Sequence, residues 1–317
     1  MTRRTLMTSL AAAASVAAPS ASAKSWRPKL GLLGNYSEAN INFAKEEGFT
    51  SIGLWARPGT SLDPTQIGDP FIETVRESVR KSGLYLSVVG NTMNHIAADS
   101  EIRKKNNDYF VKVIELAGKL GAPYVGSGSG GMQGKTLDQQ VSEIVRVYTE
   151  QYFPMCQKYN VRILWEPYPG SPNVATGPVG YDALFKAFGN SPYVGLQYDP
   201  SHLVWQMMDP IQTARDYVDK IYDVHLKDTE IRYDVLKRVG IHPLNDAKWW
   251  RYRLPGLGLI DWPTFFTVLM NAGYSGAMNI EHEDATYGDP NHGNEFAEDY
   301  RRGFRMAHRY LRQYVPA

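Results

Sequence analysis

Eight short apolar, β-rich runs recur along the chain, each followed by a stretch of helical period. This alternation constrains the fold more than any other feature. The runs cover residues 30–34, 51–55, 84–89, 124–127, 161–166, 194–199, 221–225 and 277–281. Between them, Phe110, Val113, Ile114 and Ala117 fall at i, i+3, i+4 and i+7 and so share one helix face. Leu137, Val141, Ile144, Val145 and Tyr148 follow the same rule behind Thr136-x-x-Gln139, a capping-box pattern. Phe296, Tyr300, Phe304, Ala307 and Leu311 repeat it in the last helix. Strict βα alternation implies a parallel sheet. Eight units predict an α/β fold closed into a single (β/α)8 TIM barrel, with an open doubly wound sheet as the alternative. One longer connection, residues 228–258, is rich in aromatics and Arg. It is expected to form an elaborated loop over the barrel mouth after the seventh strand.

The N-terminus reads differently. Thr2-Arg3-Arg4-Thr5-Leu6-Met7 leads into an uncharged, Ala-rich run, and Ala21-Ser22-Ala23 fits a small-x-small cleavage pattern. Charged, apolar and cleavage regions in that order make an export signal. The Arg pair before a mildly apolar stretch resembles a twin-arginine (Tat) signal. The expectation is a signal over residues 1–23, a barrel over 24–317 and a periplasmic location. No later stretch approaches the roughly 18 uninterrupted apolar residues of a membrane span. With 34 Lys+Arg against 33 Asp+Glu, the net charge of +1 gives no electrostatic reason to bind nucleic acid or an anionic membrane. Cys156, the one cysteine, rules out an internal disulfide. Oligomeric state is not readable, although the outer helices of a barrel offer faces for a homo-oligomer.

Four runs end on side chains able to bind a metal. The fifth closes on Glu166-Pro167, the sixth on Tyr198-Asp199-Pro200, the seventh on His225-Leu226-Lys227-Asp228 and the eighth on Ile280-Glu281-His282-Glu283. In a (β/α)8 barrel the C-terminal strand ends share one mouth, so Glu166, Asp199, His225 and Glu281 should converge. Three carboxylates and one imidazole form a hard, oxygen-rich ligand set. It suits Mn²⁺ first, with Mg²⁺, Co²⁺ or Zn²⁺ as alternatives, and is unlike a thiolate-rich structural zinc site. The plainer alternative is that each acid caps a helix or pairs with an Arg.

At these residues the chain resembles the sugar phosphate isomerase/epimerase family, the xylose isomerase-like barrels. That group includes inosose dehydratases, ketose 3-epimerases and, more distantly, endonuclease IV. The resemblance covers residues 24–317 and is most specific at Glu166, Tyr198-Asp199-Pro200-Ser201-His202, His225-Leu226-Lys227-Asp228 and Ile280-Glu281-His282-Glu283-Asp284. Pro255-Gly256-Leu257-Gly258-Leu259-Ile260-Asp261-Trp262 and Gly273-Tyr274-Ser275-Gly276 are also typical of it. The resemblance implies one divalent metal on Glu166, Asp199, His225 and Glu281, with Glu166 and Glu281 also the acid/base pair. It implies that His202, one turn past Asp199, contacts substrate hydroxyls. Endonuclease IV needs further His ligands, one of them on the fourth strand. Here that strand runs into Ser127-Gly128-Ser129-Gly130-Gly131, so a three-zinc nuclease site cannot be built.

Proton abstraction α to a carbonyl gives epimerisation or aldose–ketose isomerisation when the proton is returned, and elimination when a group leaves from the β carbon. The expected enzyme is a metal-dependent isomerase or epimerase acting on an unphosphorylated keto-sugar, polyol or glycoside. A lyase or dehydratase using the same site is the alternative. A metal-dependent hydrolase and a non-catalytic periplasmic saccharide-binding protein are the other classes. Lys227 either steadies an anion or protonates a leaving group, or else pairs with Asp228 or Asp199. His95, after the third strand, is either a substrate contact or a loop histidine. Trp55 and Arg253 are expected to touch substrate, and Arg57 is a weaker candidate. Trp55, Trp165, Tyr168, Trp205, Trp249 and Trp250 fall near strand ends or in loops, where some should stack on a sugar and others should pack. The Gly-Ser run at 126–131 either cradles a phosphate or makes a tight turn. The Arg residues of the last helix read as a solvated, salt-bridged face.

Overall fold

A computed structural model describes residues 26–169, 172–189, 191–289 and 293–316. The proposed signal at 1–23 lies outside the described residues. Eight parallel strands close into a barrel. They are β1 (Lys29–Gly34), β2 (Ser51–Trp55), β3 (Tyr85–Gly90), β4 (Tyr124–Ser127), β5 (Arg162–Trp165), β6 (Val194–Tyr198), β7 (Ile221–Leu226) and, after an inserted pair, β10 (Ala277–Ile280). The inserted pair, β8 (Asp228–Ile231) and β9 (Trp250–Arg253), is an antiparallel hairpin. The barrel closes where β10 pairs with β1, Ile280 opposite Leu32. Among the described residues, no helix is long and apolar enough to cross a membrane.

Local chemistry accounts for the helices. Thr136 and Gln139 form the expected capping box on Leu137–Val147. Phe110, Val113, Ile114 and Ala117 are fully buried on the face their spacing defines. In the last helix, Glu298–Leu311, Tyr300, Phe304, Ala307 and Leu311 face the core, while Phe296 packs from just before it. Leu137 departs from the pattern. Standing first in its helix, it is 36% exposed.

Residues two apart on a strand point the same way, so the inward positions just below the strand ends can be read off. Gln197, Asp223 and Asn279 lie two residues before Asp199, His225 and Glu281, and they fill the barrel axis. Asn279 donates to Ser87 Oγ (2.8 Å) and Asp223 Oδ1 (3.1 Å), and Gln197 donates to Asp223 Oδ2 (2.9 Å). Burial pushes the Asp223 carboxyl up to about 6 against these bonds. Gly126 makes room for this layer, since a Cβ there would meet Gln197 Oε1.

The insertion is more ordered than a loop. Its base is tied by Asp228, which is fully buried and accepts from the N–H groups of Gly256 (3.0 Å) and Ile260 (3.1 Å) and from Trp262 Nε1 (2.9 Å). The 255–262 motif is therefore an anchor, with Gly258 against Asp228, where a Cβ would collide.

His95, expected as a possible substrate contact, is sealed in the core. It has no exposed surface. Nδ1 lies 3.0 Å from Tyr152 Oη, and Nε2 lies 3.1 Å from both Ser127 Oγ and Gly128 O. Phe110 and Tyr152 rings flank it. The structure thus speaks against the substrate contact and makes His95 a loop histidine whose ring packs inward, because a ring hydrogen-bonded on both sides and closed off by aromatics has nothing left to offer a substrate.

Burial lowers the His95 pKa to about 3, so the folded protein keeps the ring neutral while the unfolded chain protonates it near 6.5. Stability from this group is complete above about pH 6.5 and is lost as pH falls toward 3. Between pH 6.5 and 5, wild type should lose about 2 kcal/mol more than His95→Gln. Urea midpoints at the two pH values check this, and parallel losses would show that His95 is not held neutral.

Candidate active site

Glu166, Asp199 and Glu281 each stand one residue past the end of their strand, and His225 lies within β7. All four are buried, and one ligand atom from each lies within 4.8 Å of the others. His225 Nδ1 is 3.0 Å from Glu166 Oε1 and 3.1 Å from Glu281 Oε2. The convergence expected from strand ends 115 residues apart is therefore seen at bonding range.

Asp199 satisfies two readings at once. Its Oδ1 caps the helix Pro200–Trp205 by accepting from Ser201 N–H at 2.8 Å, while Oδ2 faces the cluster. That helix carries His202, whose Nε2 sits 3.3 Å from Asp199 Oδ2 and 3.4 Å from Glu166 Oε1. Tyr252, reaching in from β9, lies 2.8 Å from His202 Nδ1. Lys227 is 1% exposed and donates to Glu281 (2.6 Å) and Glu283 (2.8 Å), with Asp199 Oδ2 at 3.0 Å. Of the two pairings foreseen for Lys227, Asp199 is the one observed, and Asp228 is committed elsewhere.

Burial alone would push the Glu166 and Glu281 carboxyls toward the protonated form, but the opposing charges win. His225 and His202 hold Glu166 well below the usual carboxylate range, and Lys227 with His225 holds Glu281 at about 2. Reciprocally, burial disfavours the charged forms of His225 and Lys227, yet the surrounding carboxylates raise both. Asp199 Oδ2 is buried without a well-formed hydrogen bond, which leaves a lone pair aimed into the cluster. An oxygen-rich set in which this atom has only ion-pair neighbours and no hydrogen bond of good geometry fits a hard divalent cation. Glu166, Asp199, His225 and Glu281 are the residues that would hold it.

Across the mouth, Arg57 rests on Trp55, with Cζ 3.4 Å from the ring centroid. Gly90 leaves room for that ring, since a Cβ there would stand 2.6 Å from it. Turn bonds to Thr60 fix the Arg57 backbone. Its Nε is buried with no hydrogen-bond partner. Burial lowers its pKa, opposed by the charges of Glu281, Glu166 and Glu283. Arg57 therefore projects an unengaged guanidinium toward the acids, making it a stronger candidate than the sequence suggested. Trp55 serves as its platform.

Arg253 lies elsewhere. Its Nε bonds Asp284 at 2.7 Å, tying the hairpin to the loop after β10, and its Nη1 bonds Glu230 at 2.6 Å across the hairpin itself. A side chain pinned by two carboxylates is a brace, which corrects its expected role as a substrate contact. Trp165 is packing too, fully buried among Phe185, Phe188 and Tyr148. The Gly-Ser run is a structural turn. The N–H groups of Gly128, Ser129 and Gly131 are taken by Tyr168, Asn173 and Asn94, which leaves no cradle for a phosphate there. Tyr252 and Glu283 were not singled out from the sequence. Glu283 could have been, because it follows Glu281 at the two-residue spacing.

The xylose isomerase-like TIM barrel family profile matches residues 41–312. Protein YfiH of Bacillus subtilis (strain 168), itself uncharacterised, is 28% identical over 285 residues, covering 78% of this chain and 89% of that one. An inosose dehydratase of Clostridium tetani is 40% identical over 93 residues, which span 28% of this chain and 30% of the dehydratase. Among solved structures, the 3-keto-D-glucoside 4-epimerase YcjR of E. coli superposes with a TM-score of 0.67 at 15% identity, covering 90% of this chain and all of that one. With its closed barrel, its buried acid–histidine cluster and a profile match over most of its length, the chain belongs to the xylose isomerase-like TIM barrel family.

Proposed function

We propose that the protein is a divalent-cation-dependent isomerase or epimerase that moves a proton α to the carbonyl of an unphosphorylated keto-sugar or keto-glycoside. The observation that carries this reading is the convergence of Glu166, Asp199, His225 and Glu281, one ligand atom from each lying within 4.8 Å of the others. A divalent cation in this cluster, with Mn²⁺ the first choice for such ligands, would polarise the carbonyl and make the neighbouring C–H easier to ionise. Glu166 and Glu281 stand three strands apart around the barrel, so they approach a bound sugar from different sides. One carboxylate takes the proton and the other returns one, the requirement for inverting a stereocentre. Lys227 and Arg57 flank the acids and favour negative charge as it develops on the substrate oxygen. The structural neighbour YcjR, a 3-keto-D-glucoside 4-epimerase, supports a glycoside substrate.

Elimination is the second reading, favoured by the position of Lys227. Its ammonium, 2.6 Å from Glu281, can give a proton to a departing group on the carbon next to the one Glu281 deprotonates. The local match to an inosose dehydratase points the same way. For the chain start we keep the Tat signal and periplasmic destination as part of the proposal, on the Arg3-Arg4 pair and the Ala21-Ser22-Ala23 site.

Elemental analysis of protein refilled with mixed divalent ions should give one tightly held ion per chain, lost in Glu281→Gln. In D₂O, ketoses and 3-keto-glycosides should take up deuterium α to the carbonyl, and Glu281→Gln should slow this by about 10² to 10⁴. No bound metal, or full exchange by the variant, would refute the reading, and two or three zinc ions would favour hydrolysis. Arg57→Gln should lower kcat/KM by about 10- to 100-fold while metal content stays at one; unchanged kinetics would remove Arg57 from the substrate's surroundings. Replacing Arg3 and Arg4 together by Lys should leave the protein in the cytoplasm on fractionation, and undiminished export would rule out the twin-arginine route.

A further inference from the structure

Between the insertion after β7 and the loop after β10 lies a half-open cavity of about 710 Å³ that adjoins the acid cluster. Tyr252 and Glu283 belong to both. They line the cavity, and they also contact His202 and Lys227 at 2.8 Å each. Farther out, Ile241, Pro243, Ala247 and Trp250 line it beside the charged Lys248, Arg251 and Asp284. Trp250 is stacked face to face on Trp205, with centroids 4.4 Å apart and planes within 6°, so its ring is set before any ligand arrives. Ile241 is 61% exposed and nearby Leu244 entirely so, an unusual surrender of apolar surface beside an enzyme mouth.

A free monosaccharide does not account for this wall. Sugar hydroxyls need polar partners, which the cluster supplies, whereas the cavity adds, among its charged groups, aliphatic faces and the pre-stacked ring of Trp250, which a sugar held in the cluster leaves uncovered. Its volume falls within the usual range of small-molecule sites, about 300–1,000 Å³. Flat apolar ligands gain most from such a surface, through burial and through ring stacking.

We infer that this cavity is an aglycone subsite, which takes the flat aromatic aglycone of a glycoside whose sugar ring occupies the Glu166–Asp199–His225–Glu281 cluster. The inference rests on the proposed sugar chemistry for the orientation of the ligand, but it concerns binding and does not depend on turnover.

The test is calorimetric titration of the metal-loaded full chain with the α and β anomers of 4-nitrophenyl and methyl D-glucopyranoside. Neither probe carries the carbonyl, so neither is consumed. One aryl anomer should bind at least about tenfold more tightly than its methyl counterpart. Ala247→Trp, which fills the cavity from the insertion, should abolish that advantage and leave methyl-glucoside affinity unchanged. Equal affinities, no aryl binding up to the solubility limit, or an advantage that survives both Ala247→Trp and Trp250→Ala would overturn the subsite. An aryl advantage in a protein that exchanges no α-hydrogen would keep the subsite and refute the proposed reaction. Exchange without an aryl advantage would do the reverse.

Discussion

Like charges crowded into a dry space govern this molecule. Glu166, Asp199, Glu281 and Glu283 meet at the barrel mouth, three of them almost wholly removed from water. Buried carboxyls either take up protons or find counter-charges. Here Lys227 is buried among them, and Arg57 is carried on Trp55 across the opening. Two permanent cations do not balance four acids, and a divalent ion would close the difference. A pocket neutral in that state has no need of an anionic substrate, and it favours negative charge that develops only during reaction.

The barrel's interior supports the site in turn. Because side chains alternate along a strand, the residues two positions below the cluster form a hydrogen-bonded layer of Gln197, Asp223 and Asn279. Each member satisfies another, so polar groups persist on the barrel axis with part of their desolvation cost offset, although burial still raises the Asp223 carboxyl. Glycine at position 126 is a steric consequence of this layer, since a larger residue would occupy the space that Gln197 fills.

The barrel and its four converging residues were legible because both depend on one-dimensional signals. Apolar runs of strand length betray the strands, and an acid or His at the end of a run betrays the mouth. The hairpin was not legible, since β8 and β9 are four residues each, separated by a long excursion, and their alternation is too brief to stand out. Roles set by a partner's position were also hidden. His95 and Arg253 have the chemistry of substrate contacts, but Tyr152 and Ser127 claim the first while Asp284 and Glu230 claim the second. Arg57 is the converse, a weak signal in sequence that gained weight because the fold gives its Nε no partner.

Asp199 divides its carboxylate between two duties, one oxygen closing the first turn of a helix and the other facing the cluster. A side chain so committed has no rotamers left to lose. The ordering entropy that a flexible carboxylate would surrender on meeting a cation has already been spent in folding. The same bond makes the helix start, and with it His202, move with the ligand as one body. The spacing between the carboxylate oxygen that faces the cluster and an imidazole is thereby written into the backbone.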